Sequence, residues 1–565
     1  MATLFENEHK HEESHSNNHP PQESGIIPST SKKLTSWTHR FLEERVRQLE
    51  SHFQSTDQTI KVSEILSSIA HLYEKIRNTI EYKGEFVLRR NAIERILRRL
   101  LWEHTTHDTY RIAEVLTREI IWARYLPNDR IPRRKIAEIA SVINKYLVLI
   151  GKIKERGSPI GQNALREWMW GVASCEIEET LEATHREAFV TLMYEWFKEH
   201  FAWEETDLPQ EEKDIQLYLA VHRALTKSDE AVMRYHLLLK IMPSWQTADE
   251  LSVTQFATNF GALFDQIESK LSFPKRSELY RQVQKHVAPF KIIEQLVNEE
   301  KGKAAAIIAD PNTFEEKVRD ICRRKYAQIQ RKVNRGIIRS ILYIFMTKVL
   351  LALLIEIPYE MLRFGKLTYL PLAINVVVPP AMMWLVGLTI TTPGADNTER
   401  LIENLKSIVY DHDHGVKAPF SLSPTQRDSL LTRVFAGLYF VLFLLVFGVI
   451  TYVLLKLSFT WIGIFIFFAF LSLVLLFGFR VRFTASELKV TSDRMGFLGY
   501  LFNNVTLPFL STGVVLSKGL AKINFLTVFL DFLIEAPLKT VIEVLEEWTS
   551  FIREKREEVV EVPDQ

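Results

Sequence analysis

Apolar residues recur every three or four positions through most of the first 320 residues. Within residues 88–102, Ile93, Ile96 and Leu100 share one helical face, and arginines occupy the other faces. This spacing predicts amphipathic helices that each bury one stripe. Prolines fall between the predicted helices, and no stretch alternates with a period of two, so we expect almost no sheet. The pattern predicts an irregular soluble helical bundle over residues 32–320.

Long apolar stretches follow residue 336. A hydrocarbon layer requires about 20 helical residues, and four stretches reach that length: residues 337–357, 367–391, 434–455 and 459–479. The third and fourth contain no charged residue. A soluble fold would have to bury such helices on every side. We therefore predict an all-α protein in which the soluble bundle is followed by a polytopic transmembrane helix module of four spans over residues 337–483.

The remaining segments differ in composition from the predicted bundle and from the predicted spans. Residues 1–31 are rich in Ser, Asn, Pro, Glu and His, which predicts a disordered tail, and residues 321–340 predict a basic juxtamembrane helix. Residues 484–536 predict interfacial or re-entrant segments because polar residues interrupt the apolar run, with a second pair of spans as the alternative. Residues 537–565 predict an amphipathic C-terminal helix and tail. The acidic polar face of that helix favours packing on protein over anionic lipid.

Basic residues flank the predicted spans unevenly. The seven that precede the first span are Arg323, Arg324, Lys325, Arg331, Lys332, Arg335 and Arg339. The short connections within the two pairs of spans hold only Arg363, Lys366 and Lys456. This asymmetry predicts an integral protein of the cell or plasma membrane with both termini in the cytoplasm. Attraction to anionic headgroups, about 1 kcal/mol per basic residue, accounts for the basic run. We therefore expect contact with the lipid bilayer and no nucleic-acid partner.

Lys348 lies near the middle of the first predicted span, where an ammonium group costs about 2.5–3.5 kcal/mol. Glu356 follows eight positions later, about 12 Å along the axis of an α-helix, so we expect that the two cannot pair within one helix. Other polar groups in apolar surroundings are Asn375, Thr389, Asp531 and Glu535. One hypothesis is a polar track for an ion or substrate. The favoured one is a snorkelling lysine or a buried interhelical pair that fixes the register of the helices.

Pro379 and Pro380 fall inside the second predicted span. Two consecutive prolines remove two backbone donors, which predicts a kink or a break in the helix. Broken helices line some transporter sites. A kink that only serves packing is the more common case.

Candidate metal ligands are interpreted as solvated polar groups. Histidines recur at His9, His11, His15 and His19 in the tail and at His412 and His414 in a loop, where no folded scaffold fixes a coordination geometry. Glu182 and His185 have the spacing of di-iron bundles, but a second copy is missing. The chain also lacks a phosphate-binding loop, HExxH and GxSxG. The sequence therefore predicts no cofactor, no metal site and no enzymatic activity.

These patterns favour a membrane-anchored scaffold whose cytoplasmic helical region binds a protein partner or another copy of the chain. The alternative is a transporter or channel with a polar track around Lys348, Asn375 and the Pro379–Pro380 break. A membrane enzyme ranks third and requires a cytoplasmic pocket of convergent carboxylates or histidines. No small-molecule substrate is indicated.

Overall fold

The computed structural model is mostly helical, with 83% helix and 2% strand, which confirms the all-α prediction. It describes residues 33–52, 58–64, 67–68, 70–71, 74–75, 77, 88–103, 108–181, 186–204, 208–365, 367–410, 417–422, 430–490, 497–522, 544, 548, 551–552 and 555. The predicted tail of residues 1–31 and the polar candidates Asp531 and Glu535 lie outside these described residues.

The helices that precede the apolar stretches form one packed soluble body. They are α1 (Ser36–His52), α2 (Leu88–Glu103), α3 (Thr109–Trp122), α4 (Arg134–Arg156), α5 (Gln162–Leu181), α6 (Arg186–His200), α7 (Gln210–Val221), α8 (Glu230–Ile241), α9 (Glu250–Leu271), α10 (Arg276–Gln284), α11 (Val287–Glu300) and α12 (Ala304–Ala309). A π-helical turn, His222–Thr226, follows α7. Aspartates cap several helices; Asp108, for example, accepts from the backbone amides of Tyr110 and Arg111.

The apolar part of the chain begins within α13 (Pro311–Leu351), which continues through a π-helical segment, Ala352–Glu356, into α14 (Ile357–Phe364). The helices that follow are α15 (Tyr369–Leu388), α16 (Ala395–Val409), α17 (Leu430–Lys456), α18 (Trp461–Ala485) and α19 (Phe497–Lys522). Two short strands, β1 (Phe201–Trp203) and β2 (Ala418–Phe420), pair in parallel.

Helix α5 is buried on all faces over residues 168–178. The amphipathic α4 packs along it and presents one apolar stripe that includes Ile139, Ile143 and Ile150. The buried carboxylate of Glu176 on α5 has two partners, because it accepts from Lys145 at 2.5 Å and from the hydroxyl of Tyr146 at 2.8 Å. Such pairing allows charged side chains to be buried.

Helix α16 belongs to the soluble core although it lies within the predicted membrane module. Leu401, Leu405 and Ile408 are buried there, because α16 is amphipathic and its apolar face meets the core. The indole nitrogen of Trp37 donates to the carbonyl oxygen of Ile408 at 2.9 Å. Helix α13 makes a second connection, because its first turns bury Phe314 in the same core. Helices α13 and α16 therefore both attach the soluble body to the apolar helices.

Among the described residues, four helical segments are long and apolar enough to cross a membrane: Pro311–Arg363, Tyr369–Leu388, Arg433–Lys456 and Trp461–Ala485. They coincide with the four predicted stretches. Exposed large apolar side chains are concentrated in residues 338–515, whereas the described part of the soluble body has only Tyr110, Val148 and Leu251. Apolar surface on this scale is favourable in lipid and unfavourable in water. This distribution indicates membrane association.

The apolar helices approach each other closely at glycines. Gly513 of α19 faces the backbone of Ser472 on α18, and a Cβ atom at Gly513 would lie 2.6 Å from the carbonyl oxygen of Ser472. Within residues 484–536, which are predicted to be interfacial or re-entrant, Phe497–Lys522 form a 26-residue helix that packs along α18. Helix α15 is continuous through Pro379 and Pro380, so of the two predicted outcomes the break does not occur and the kink stays a prediction. Both prolines are buried against neighbouring helices, which supports the helix where they remove hydrogen bonds.

Replacing Gly513 with alanine should separate α18 from α19 and lower the melting temperature of the detergent-purified protein, because the new Cβ atom clashes with fixed backbone. Overpacking of this kind costs about 1–3 kcal/mol. Gly448→Ala is the matched control, because a Cβ atom at Gly448 meets nothing within 4 Å. Equal melting temperatures for the two variants would contradict the packing.

Candidate functional site

Lys348 and Glu356 form an ion pair within one helical segment, with Nζ of Lys348 3.4 Å from Oε1 of Glu356. The prediction that they cannot pair is therefore wrong. In a regular α-helix, eight residues rotate a side chain about 80° beyond its starting face. The π-helical segment Ala352–Glu356 takes up an extra residue in its turn, which rotates Glu356 back towards Lys348. The two long side chains then span the remaining distance along the axis.

Asn375 completes this site from α15. The ammonium of Lys348 donates to Oδ1 of Asn375 at 2.6 Å, and the amide nitrogen of Asn375 donates to Oε1 of Glu356 at 2.7 Å. We call Lys348, Glu356 and Asn375 the polar triad. Each member contacts the other two, so the charge of the ammonium and that of the carboxylate are balanced within one closed hydrogen-bonded ring.

Helix α18 closes the polar triad from the third side. The ring of Phe470 lies with its centroid 4.7 Å from Nζ of Lys348, at cation–π distance. The amide nitrogen of Asn375 also reaches the carbonyl oxygen of Gly463 at 3.5 Å. Lys348 is 0% exposed. The lysine therefore faces neighbouring helices, and its ammonium neither snorkels to an interface nor contacts lipid.

A narrow cleft reaches the polar triad from the end of the bundle that carries the short connections. Glu356 and Asn375 line it together with Glu360, Thr460 and Gly463. Its volume of about 10 Å³ accommodates one water molecule at most. The carboxylate of Glu360 is hydrogen-bonded to a nearby residue: it accepts from the backbone amide of Thr368 at 2.9 Å and from the Thr368 hydroxyl at 2.8 Å.

Other residues singled out in the sequence lie apart from the polar triad. Thr389 donates to the carbonyl oxygen of Val386 in its own helix. Pro379 has no amide hydrogen, so it cannot bond the carbonyl of Asn375 four positions earlier. The basic run lies on α13, exposed except for half-buried Lys325. Arg324 in this run pairs with Glu299 at 2.7 Å.

A second polar cluster lies in the soluble body and was missed by the sequence analysis. Glu187 of α6, His222 of the π-helical turn and His236 of α8 each direct a ligand-type atom to one point, and these atoms lie within 4.8 Å of one another. Burial, with a contribution from His222, lowers the pKa of His236 to about 3, so its ring is neutral at neutral pH. The three residues come from separate helices, so no short motif signals them.

The second cluster supplies convergent carboxylate and imidazole groups, which are one part of what the membrane-enzyme hypothesis requires. The predicted Glu182 and His185 pair lies outside the described residues. No protein-family model, curated protein or solved structure matches this chain.

Removing one member of the polar triad should destabilise the protein more than removing an exposed charge of the same type. Lys348→Met leaves the carboxylate of Glu356 buried without its cation, a change that costs about 3–5 kcal/mol for buried ion pairs. Lys456→Met is the control, because Lys456 is exposed at the end of α17. Thermal unfolding of both variants in the same detergent measures the difference.

The double variant Lys348→Met/Glu356→Met should lose less stability than the two single variants combined, because no unpaired charge remains buried. Strict additivity of the two single effects would show that the ion pair does not form.

Proposed function

We propose that this chain is a multi-pass membrane protein that acts as a membrane-anchored scaffold, with its helical body in the cytoplasm. The body binds a protein partner or a second copy of the chain. The closed polar triad is the observation that carries this proposal. The ammonium, carboxylate and amide satisfy one another, and the adjoining cleft has room for one water molecule at most. A site of this kind stabilises the arrangement of the helices and leaves no space for a solute.

The two attachments of the soluble body support the same proposal. Helix α13 runs 41 residues without interruption from the core of the body to the polar triad, about 60 Å at 1.5 Å per residue. Helix α16 returns from the membrane helices into that core. A body held in this way keeps a fixed orientation relative to the bilayer, as a platform for binding requires.

Charge supports a cytoplasmic position for the body. The basic run on α13 lies where this helix leaves the soluble body, and Arg480 and Arg482 lie near the end of α18. The basic run and the end of α18 lie at the same end of the apolar helices, because Val333 of α13 packs with Ala485 of α18. Basic residues are retained on the cytoplasmic side of membranes, so we infer that the body is cytoplasmic and the short connections are on the opposite side.

Transport of a cation is the second candidate. One specific observation favours it: the narrow cleft leads from the side of the short connections to Glu356, next to a π-helical segment. Such segments occur frequently at functional sites, and an ionisable residue within a membrane is a candidate functional group. Conduction would require the polar triad to open and admit water.

Ion flux separates the two candidates. The full-length protein is reconstituted into liposomes that contain a pH-sensitive dye, and a potassium diffusion potential drives proton entry. A scaffold predicts the same rate for wild type, Lys348→Met and protein-free vesicles. Cation transport predicts a faster rate that Lys348→Met and Glu356→Gln abolish and that Lys456→Met retains.

Binding is measured by chemical cross-linking in native membranes followed by mass spectrometry. The scaffold predicts discrete cross-links from the soluble body to a second protein chain, either a partner or another copy. Cross-links confined to single chains would contradict it.

The proposed orientation is tested by cysteine labelling in sealed right-side-out vesicles. Native Cys175 and Cys322 are buried, so introduced cysteines dominate the signal. Ser458→Cys in the connection after α17 should react with a membrane-impermeant maleimide directly. Ser269→Cys on α9 should react only after permeabilisation. The reverse pattern would place the body outside the cytoplasm.

A further inference from the structure

Three ligand-type side chains of the soluble body have a spacing suited to one metal ion. Nε2 of His222 lies 3.1 Å from Oε2 of Glu187, and Nδ1 of His236 lies 3.5 Å from the same oxygen. Ligand atoms about 2.0–2.2 Å from Zn²⁺ lie about 3.3–3.6 Å from one another in a tetrahedral site. The two measured separations fall close to this range.

Hydrogen bonds around His222 determine which ring nitrogen carries the proton. Thr226 Oγ1 donates to the carbonyl oxygen of His222 at 2.8 Å, which uses its one hydrogen. In the 2.6 Å contact between Thr226 Oγ1 and Ser228 Oγ, the serine must therefore be the donor. Ser228 Oγ then accepts from Nδ1 of His222 at 3.3 Å. A neutral His222 ring is consequently protonated on Nδ1, and its Nε2 presents a lone pair.

The lone pair of His222 faces a carboxylate oxygen of Glu187, and both atoms are acceptors. They repel each other at this distance unless a proton or a metal ion lies between them. A proton on Nε2 would pair His222 with the carboxylate at 3.1 Å, whereas a metal ion would also bind His236, whose Nδ1 lies 3.5 Å from the same oxygen. A metal ion fits this geometry, because it can bind both Nε2 of His222 and Oε2 of Glu187 from one side of the line that joins them.

Neighbouring groups hold two of the ligands in place. The hydroxyl of Tyr218 donates to Oε1 of Glu187 at 2.7 Å, which leaves Oε2 directed at the imidazoles. Ser228 fixes His222 in the same way through Nδ1. Metal-binding histidines and carboxylates generally have such hydrogen-bond partners, which orient them and set the tautomer.

We propose that Glu187, His222 and His236 bind one divalent transition-metal ion of the Zn²⁺ class. Imidazole and carboxylate ligands suit this class. The described residues provide three ligands at this point, so the fourth coordination position is left for water or another small ligand, the arrangement that distinguishes catalytic zinc sites from closed structural ones. The site lies in the soluble body, remote in the chain from the polar triad, and does not depend on the proposed scaffold function.

Metal content of the full-length protein tests this proposal. The protein is purified in detergent without a polyhistidine tag, loaded with Zn²⁺ and passed over a chelating resin. Weak binding elsewhere is removed by glutamine substitutions at His9, His11, His15, His19, His412 and His414. Wild type in this background should retain one Zn²⁺ per chain by elemental analysis, and Co²⁺ in its place should give visible absorption of a low-coordinate site.

Variants assign the retained metal to the cluster. His222→Gln and His236→Gln should lose it, whereas His286→Gln should keep it, because His286 packs among aromatic rings outside the cluster. Tyr218→Phe retains all three ligands and should weaken affinity about 10- to 100-fold, which separates a ligand effect from misfolding. Wild type without bound Zn²⁺ after loading, or equal retention in the His222, His236 and His286 variants, would overturn the proposal.

Discussion

An ammonium group loses its hydration when it enters a hydrocarbon layer, and protein groups must replace the lost water. Around Lys348 these groups are the carboxylate of Glu356, the amide of Asn375 and the face of Phe470. They come from α13 with its π-helical segment, from α15 and from α18, so the arrangement of three helices depends on one cation. Apolar contacts have no preferred register between such helices, whereas the polar triad is satisfied in only one.

The polar triad also lies near the end of α13, which is the longest helix in the described part of the chain. Helix α13 begins in the soluble core at Phe314 and carries Lys348 near its end. Helix α16 adds a second attachment through Leu401 and Leu405. A displacement of the membrane helices would therefore move the soluble body with them. The same rigidity that suits a scaffold would, in a transporter, couple conformational change in the apolar helices to the soluble body.

The sequence was sufficient for the features that depend on local periodicity. The apolar stretches located all four candidate spans, and the apolar residues around Asn375 identified it as a possible partner of Lys348. Glu356 was excluded only because an ideal α-helix was assumed, and a single π-helical segment reverses that geometry. The core position of α16 was not predicted either, because amphipathicity identifies a buried face but not its partner. The cluster of Glu187, His222 and His236 depends on the packing of three helices, which no short spacing reveals.

The central claim is that a closed polar triad holds the membrane helices together. An experimental map of the full-length protein in a lipid nanodisc tests it most directly, because the lipid belt and the side chain of Lys348 are then seen together. We expect the lipid belt to surround α13, α15, α17 and α18, with the ammonium of Lys348 in contact with Glu356 and Asn375. A Lys348 side chain that points into lipid, or into a water-filled channel across the belt, would contradict it.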